Sequence, residues 1–109
     1  FAENDHRNYN IKGEAFDVGD TFSGVNLDRG FEAIERLKKL LPDNYTLADL
    51  ALKWILMHDG VTVVIPGATH KLHVETNARA SELEDITSLL PQINSIYEEL
   101  IKAEVHDRW

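Results

Sequence analysis

The segment VTVVIPG, residues 61–67, decides which fold this sequence predicts. Its first five residues are mostly β-branched and show no polar alternation, which is typical of a strand covered on both faces. Such strands occur in parallel sheets whose faces are covered by helices. The sequence therefore predicts an α/β protein with one clear parallel-type strand over residues 61–66.

Helical patterns surround this segment. Apolar residues recur at helical spacing over residues 27–41, 71–80 and 88–103, whereas residues 47–58 are apolar on nearly every side. We expect Asp28 to cap the first helix, and Thr46 with Asp49 to form a capping box before the second. The sequence thus divides into two predicted regions. Residues 1–26 show neither helical nor strand periodicity and are predicted to form a long loop. Residues 27–109 are predicted to form a helix-rich region that contains the strand.

The predicted strand has no partner of similar quality in the chain. The only other candidates are the weak segments 16–18 and 22–25. A strand needs neighbours for its backbone hydrogen bonds. The chain also begins at Phe1, and its only methionine is Met57. Together these features predict a part of a larger protein, or else a homo-oligomer in which the unpaired strand meets its copy.

The composition argues against several classes of protein. The formal net charge is −8, which repels nucleic acid and anionic membrane surfaces. The chain has no cysteine, no apolar run near the roughly 20 residues that span a bilayer, and no signal-peptide pattern. We therefore expect a cytoplasmic protein. His70 and His73 are three residues apart but lack an obvious third ligand, so no metal site is predicted.

The predicted strand leads through a turn into a helix, which is an arrangement that suits a phosphate. Backbone N–H groups at a helix N-terminus lie at the positive end of its dipole. Gly67 allows a ligand to approach the backbone, Thr69 offers a hydroxyl, and Lys71 and His73 offer positive charge. A plain turn in which Thr69 is the N-cap explains the same residues, and both interpretations stay open on this evidence.

Several motifs resemble the aldo-keto reductases, which are (β/α)8 TIM barrels that reduce carbonyl compounds with NADPH. The motifs that resemble the last barrel strand and the helix after it are ALKWIL at 51–56, GVT at 60–62, VIPGA at 64–68 and Asn77. The motifs that resemble the loop after the seventh strand and the C-terminus in the bacterial branch are DHR at 5–7, FSGV at 22–25, Tyr97 and HDRW at 106–109. The resemblance implies the C-terminal fragment of such a barrel.

The resemblance also implies a cofactor site. Residues at the positions of Gly67, Ala68 and Thr69 contact the adenosine 2′-phosphate and ribose in the family, and further contacts come from an Arg or Gln, a Glu and an Asn on the next helix. This sequence places His73, Thr76 and Asn77 there, so two of the three depart from the family pattern. The predicted NADPH-binding residues are Gly67, Ala68, Thr69, His73, Thr76 and Asn77.

The family's catalytic Tyr, Lys, Asp and His come from the first half of the barrel, and Tyr9, Tyr45 and Tyr97 match none of them. We therefore predict no catalytic residue here, and weak or no NADPH binding and no activity for the isolated chain. The intact protein would reduce an aldehyde or ketone. The alternative is a helical protein–protein interaction module without cofactor, whose apolar helix over residues 47–58 is buried in a partner.

Overall fold

The computed structural model describes residues 3–4 and 24–108. Five α-helices lie in these ranges: α1 (Leu27–Leu40), α2 (Leu47–Leu56), α3 (Lys71–Arg79), α4 (Leu90–Leu100) and α5 (Lys102–Val105). Short 3-10 turns span Ala80–Glu82, Thr87–Leu89 and His106–Arg108. The residues form two compact units, one within Phe1–Arg36 and Asn94–Trp109 and the other Leu37–Ile93. Most of the predicted loop over residues 1–26 lies outside the described residues.

Residues 61–66 form no strand, and the described part of the chain contains no sheet. The predicted α/β class, a (β/α)8 TIM-barrel fragment with one parallel-type strand over residues 61–66, is therefore wrong for this structure. The predicted burial is also absent, because Val63 is 70% and Ile65 is 91% exposed. The physical reason is that β-branched residues suit a pleated surface but do not create one, since a ladder requires a second strand.

The second unit is held together around the start of α2. Its buried apolar residues include Leu50, Ala80 and Ile86. The predicted capping box is confirmed, because the Asp49 backbone N–H donates to Thr46 Oγ1 and the Thr46 backbone N–H donates to the Asp49 carboxylate. The α2 helix contacts α3 and the 3-10 turn that follows α3. The end of α3 is therefore held against α2, since its last residue, Arg79, pairs with Asp49.

The first unit joins the beginning of α1 to α5. The N-cap of α1 is Asn26, not the predicted Asp28, because Asn26 Oδ1 accepts from the backbone N–H groups of Asp28 and Arg29. The Asn26 N–H in turn donates to Glu104 Oε2 at 2.7 Å. The single helix predicted over residues 88–103 is interrupted at Ile101, between α4 and α5. No helix among the described residues is long and apolar enough to cross a membrane.

Candidate functional site

The turn before α3 and the exposed side of α3 bring four of the six predicted site residues together. The Asn77 side-chain amide donates to the Gly67 carbonyl oxygen at 3.4 Å, across ten residues of sequence. His73 Nδ1 lies 3.4 Å from both the backbone nitrogen and the hydroxyl oxygen of Thr69. These contacts attach the turn to α3 and place a hydroxyl, an imidazole and an amide beside it.

The other two predicted residues are placed differently. Thr76 donates its hydroxyl to the Leu72 carbonyl oxygen at 2.8 Å, so its only side-chain donor is engaged within its own helix. Such bonds to the preceding turn are common for threonine within helices. Ala68 is exposed and offers only its backbone to a ligand. Gly67 lies against open space, because a Cβ atom built there would meet no atom within 4 Å.

The beginning of α3 favours a negatively charged ligand. Its N-cap is His70, whose side chain makes no capping hydrogen bond, and no acidic residue lies in the first turn. The alternative in which Thr69 is the N-cap is therefore wrong. Lys71 is exposed and lies 3.4 Å from Glu75, and the rings of His70 and His73 meet edge to face with centroids 5.2 Å apart. Uncapped N–H groups, a lysine and two imidazoles give this surface the donors that phosphate oxygens require.

The tyrosines hold structural contacts rather than a shared site. Tyr45 donates to the Glu84 carbonyl oxygen at 2.7 Å. Partial burial and, to a smaller extent, the negative charge of Glu84 raise the pKa of Tyr45. Tyr97 Oη lies 2.9 Å from His106 Nδ1. Tyr9 lies outside the described residues. Within the described ranges, no group of three or more His, Cys, Asp or Glu side chains is arranged to hold a metal ion.

The sequence did not predict the ion pair that positions α3. Arg79 Nη2, at the end of α3, donates to Asp49 Oδ2 at 2.6 Å. Asp49 is completely buried, whereas the Arg79 side chain is half exposed. Burial by itself raises the pKa of the Asp49 carboxyl, but hydrogen bonds from Thr46 and from Arg79 outweigh burial and leave this pKa below its ordinary value. The sequence indicated only the role of Asp49 in the capping box. Its second partner, Arg79, lies 30 residues further along the chain, so no local pattern predicts the ion pair.

The comparison with protein families indicates the class of this protein, which is an oxidoreductase. The sequence model of the Aldo/keto reductase family matches residues 2–98, so this chain belongs to that family. Members generally use NAD(P)H and act on small carbonyl compounds. The match includes all six predicted site residues. No curated protein and no solved structure gives a significant match.

Proposed function

We propose that this chain supplies the adenosine-phosphate side of an NADPH site in an enzyme that reduces aldehydes or ketones. The observation that carries the proposal is the cluster of Gly67, Thr69, His73 and Asn77 at the uncapped beginning of α3. Assignment to the bacterial branch and a cytoplasmic location stay predictions from the sequence, whereas pairing between copies through the predicted strand loses its basis because residues 61–66 form no strand.

The residues present fit the adenosine end of NADPH. The open space over Gly67 lets the ribose and its phosphate reach the backbone. The Thr69 hydroxyl and the His73 ring nitrogen that does not contact Thr69 offer donors to the 2′-phosphate, and the Asn77 amide offers both a donor and an acceptor to the adenine edge. NADPH, when bound, would supply the hydride that reduces the carbonyl carbon. The residues of this chain bind and orient the cofactor.

The rival function, a helical interaction module, assigns partner binding to α2. The exposed large apolar side chains of the second unit do not favour α2 as the partner-binding helix, since four of them lie in or next to the turn and α3. They are Val63, Ile65, Leu72 and Val74, whereas α2 contributes only Trp54, at 36% exposure. Leu50, on the same helix, is buried within the chain. The exposed apolar surface of this unit therefore does not single out α2 as the helix that a partner would bury.

Titration of the ¹⁵N-labelled 109-residue chain with NADPH tests the proposal by amide chemical-shift changes, which detect millimolar binding. We expect weak binding that shifts the amides of residues 67–69, 73, 76 and 77, and weaker effects from NADH. Gly67→Val should abolish these shifts without changing stability, because its Cβ enters open space. Gly60→Val is the matched control, since a Cβ there also meets nothing within 4 Å and the residue lies in the same unit.

Two results would contradict the proposal. One is the absence of shifts in residues 67–77 at NADPH concentrations well above the millimolar range. The other is a Gly67→Val chain that binds like the Gly60→Val control. Either result would favour the interaction module, which requires no cofactor and predicts that substitution of Gly67 is silent.

A further inference from the structure

The turn that follows α2 contains the only Asp-Gly pair of the chain, and the sequence has no Asn-Gly pair. The Val61 N–H donates to the His58 carbonyl oxygen at 2.9 Å, which makes Asp59 and Gly60 the two central residues of a β-turn. Both of these residues are exposed. Because one backbone hydrogen bond closes the turn at the surface, the turn can open locally while α2 stays packed.

The Gly60 backbone nitrogen is accessible to the Asp59 carboxyl group. No backbone hydrogen bond among the described residues uses the Gly60 N–H, and none of the hydrogen bonds or ion pairs in those ranges involves the Asp59 carboxylate. A Cβ atom built at Gly60 would meet no atom within 4 Å. Glycine has no side chain to crowd its own nitrogen, and its backbone adopts conformations that other residues rarely reach. The nitrogen can therefore approach Asp59 Cγ.

The other aspartates of the second unit lack at least one of these conditions. Asp49 is completely buried and engaged in hydrogen bonds. Asp85 Oδ1 accepts from the Thr87 backbone N–H at 2.6 Å. Asp43 is exposed but precedes Asn44, whose Cβ crowds the nitrogen that would have to react. The combination of a free carboxylate and an unhindered following nitrogen thus distinguishes the Asp-Gly turn within this unit.

We propose that Asp59 is a modification site at which the folded chain converts spontaneously to isoaspartate. The Gly60 nitrogen forms a bond to Asp59 Cγ and loses its proton, and one carboxyl oxygen leaves as water, which gives a five-membered succinimide ring. A water molecule then opens the ring. Cleavage of the bond from nitrogen to Cγ restores aspartate, whereas cleavage of the bond from nitrogen to the Asp59 main-chain carbonyl carbon gives isoaspartate. Neither step requires an oxidant or a cofactor.

The product changes the main chain between α2 and residues 61–67. In isoaspartate the chain runs through the former side chain, so the main chain gains one methylene carbon, and the α-carboxylate becomes the side group. The reaction is slow compared with an unfolding experiment, so measurements on fresh chain record the unmodified turn. The inference goes beyond the proposed function and does not depend on it, because the reaction involves no ligand.

Incubation of the 109-residue chain at neutral pH and physiological temperature, followed by trypsin digestion, tests the proposal. Cleavage after Lys53 and Lys71 releases the peptide 54–71, in which Asp59 is the only aspartate and asparagine is absent. The probe is a methyltransferase specific for isoaspartyl carboxylates, with labelled S-adenosylmethionine. We expect label to accumulate with time in peptide 54–71 and to exceed the label in peptides 40–53 and 80–102, which contain the other aspartates of the unit. An unincubated sample sets the zero point.

Three variants identify the reacting groups. Gly60→Ala should slow the accumulation severalfold, because the new Cβ crowds the nitrogen but meets no other part of the chain. Gly67→Ala is the matched control, since this glycine lies in the same peptide and in equally open space but follows Pro66. Asp59→Glu should abolish the label, because its longer side chain would have to close a six-membered ring.

Either of two results overturns the proposal. One is a peptide 54–71 that stays unlabelled after incubation of the folded chain, while the free synthetic peptide, incubated in parallel, becomes labelled. That result would mean that the turn protects Asp59. The other is a Gly60→Ala chain that accumulates label as fast as Gly67→Ala, which would mean that the Gly60 nitrogen is not the attacking group.

Discussion

Replacement of Asp49 by asparagine should destabilise the second unit by about 2 to 3 kcal/mol. The carboxylate is completely buried and its Oδ2 accepts from the Thr46 backbone N–H at 2.9 Å, from the Thr46 hydroxyl at 2.9 Å and from Arg79 at 2.6 Å. Asparagine has nearly the same shape and keeps one acceptor oxygen for Thr46. The substitution therefore tests the charge and the second oxygen, not the packing.

The magnitude has two parts. A hydrogen bond to a charged group contributes about 1.5 to 3 kcal/mol, and the half-exposed Arg79 places this one near the lower end. The other oxygen, Oδ1, is buried and has no hydrogen-bond partner among the described residues. An amide group at that position would bury an unsatisfied donor, which costs about 1 kcal/mol more.

Urea unfolding followed by far-UV circular dichroism measures the change in the free energy of unfolding. Arg79→Met should destabilise at least as much as Asp49→Asn, because it leaves a buried carboxylate without its cation. The double variant should lose less than the sum of the two single variants, since both remove the same pair. Asp59→Asn, at an exposed position in the same unit, is the control and should have little effect. An Asp49→Asn chain as stable as this control, or additive single variants, would refute the reasoning.

The same carboxylate makes stability depend on acid. Because the pKa of Asp49 is lower in the folded chain than in the unfolded chain, its contribution is fully present above the unfolded pKa of about 4. The contribution is lost as the pH falls through the lower, folded value. Stability of the wild type should therefore decline more steeply below about pH 4 than that of Asp49→Asn. Equal slopes for the two chains would contradict this assignment.

Three further substitutions have defined outcomes. Ile86→Ala should lower the free energy of unfolding by about 2 to 4 kcal/mol because Ile86 is buried, whereas Ile65→Ala, at an exposed residue, should change it by less than about 0.5 kcal/mol; urea unfolding of both chains tests the contrast. Tyr45→Phe should remove about 1 kcal/mol, and in the wild type the Tyr45 phenol should ionise above the ordinary tyrosine pKa of about 10, as absorbance at alkaline pH would show. The folded chain should accordingly lose stability as the pH rises through that higher value, and an unshifted phenol would contradict burial and the charge of Glu84 as causes of a raised pKa. Gly24→Ala should destabilise the first unit, because Gly24 has φ +84°, a conformation that residues with a Cβ rarely adopt, while Gly60→Ala should leave thermal unfolding unchanged.

The sequence predicted the helices better than their ends. The apolar pattern over residues 27–41 corresponds to α1, and the pattern over residues 71–80 corresponds to α3. The predicted cap Asp28 was wrong by two residues because Asn26 also has a short side-chain acceptor, and only the backbone geometry decides between them. No glycine or proline marks the break at Ile101, so the apolar pattern predicted one continuous helix across it.

The assignment of the candidate site residues to a cofactor stays a prediction, but the structure shows where these residues lie. The motif around Gly67 placed the turn, and the structure brings Thr69, His73 and Asn77 into contact with each other or with that turn. The resemblance to the family could indicate these residues because it depends only on the order and spacing of motifs, which the sequence contains. Thr76 is turned to its own helix, which spacing alone does not reveal, since a helical threonine can bond to its helix or to a ligand.

The sequence by itself therefore determined the helices, the capping box of α2 and membership of the aldo/keto reductase family. Helical hydrogen bonds join residues four apart, so a short stretch of sequence contains both partners. Only the tertiary structure decided the fate of residues 61–66, the burial of Asp49 against Arg79, and the contact of His73 with Thr69. A strand and a buried charge each depend on groups far away in sequence, and residues 61–66 lack a strand partner among the described residues.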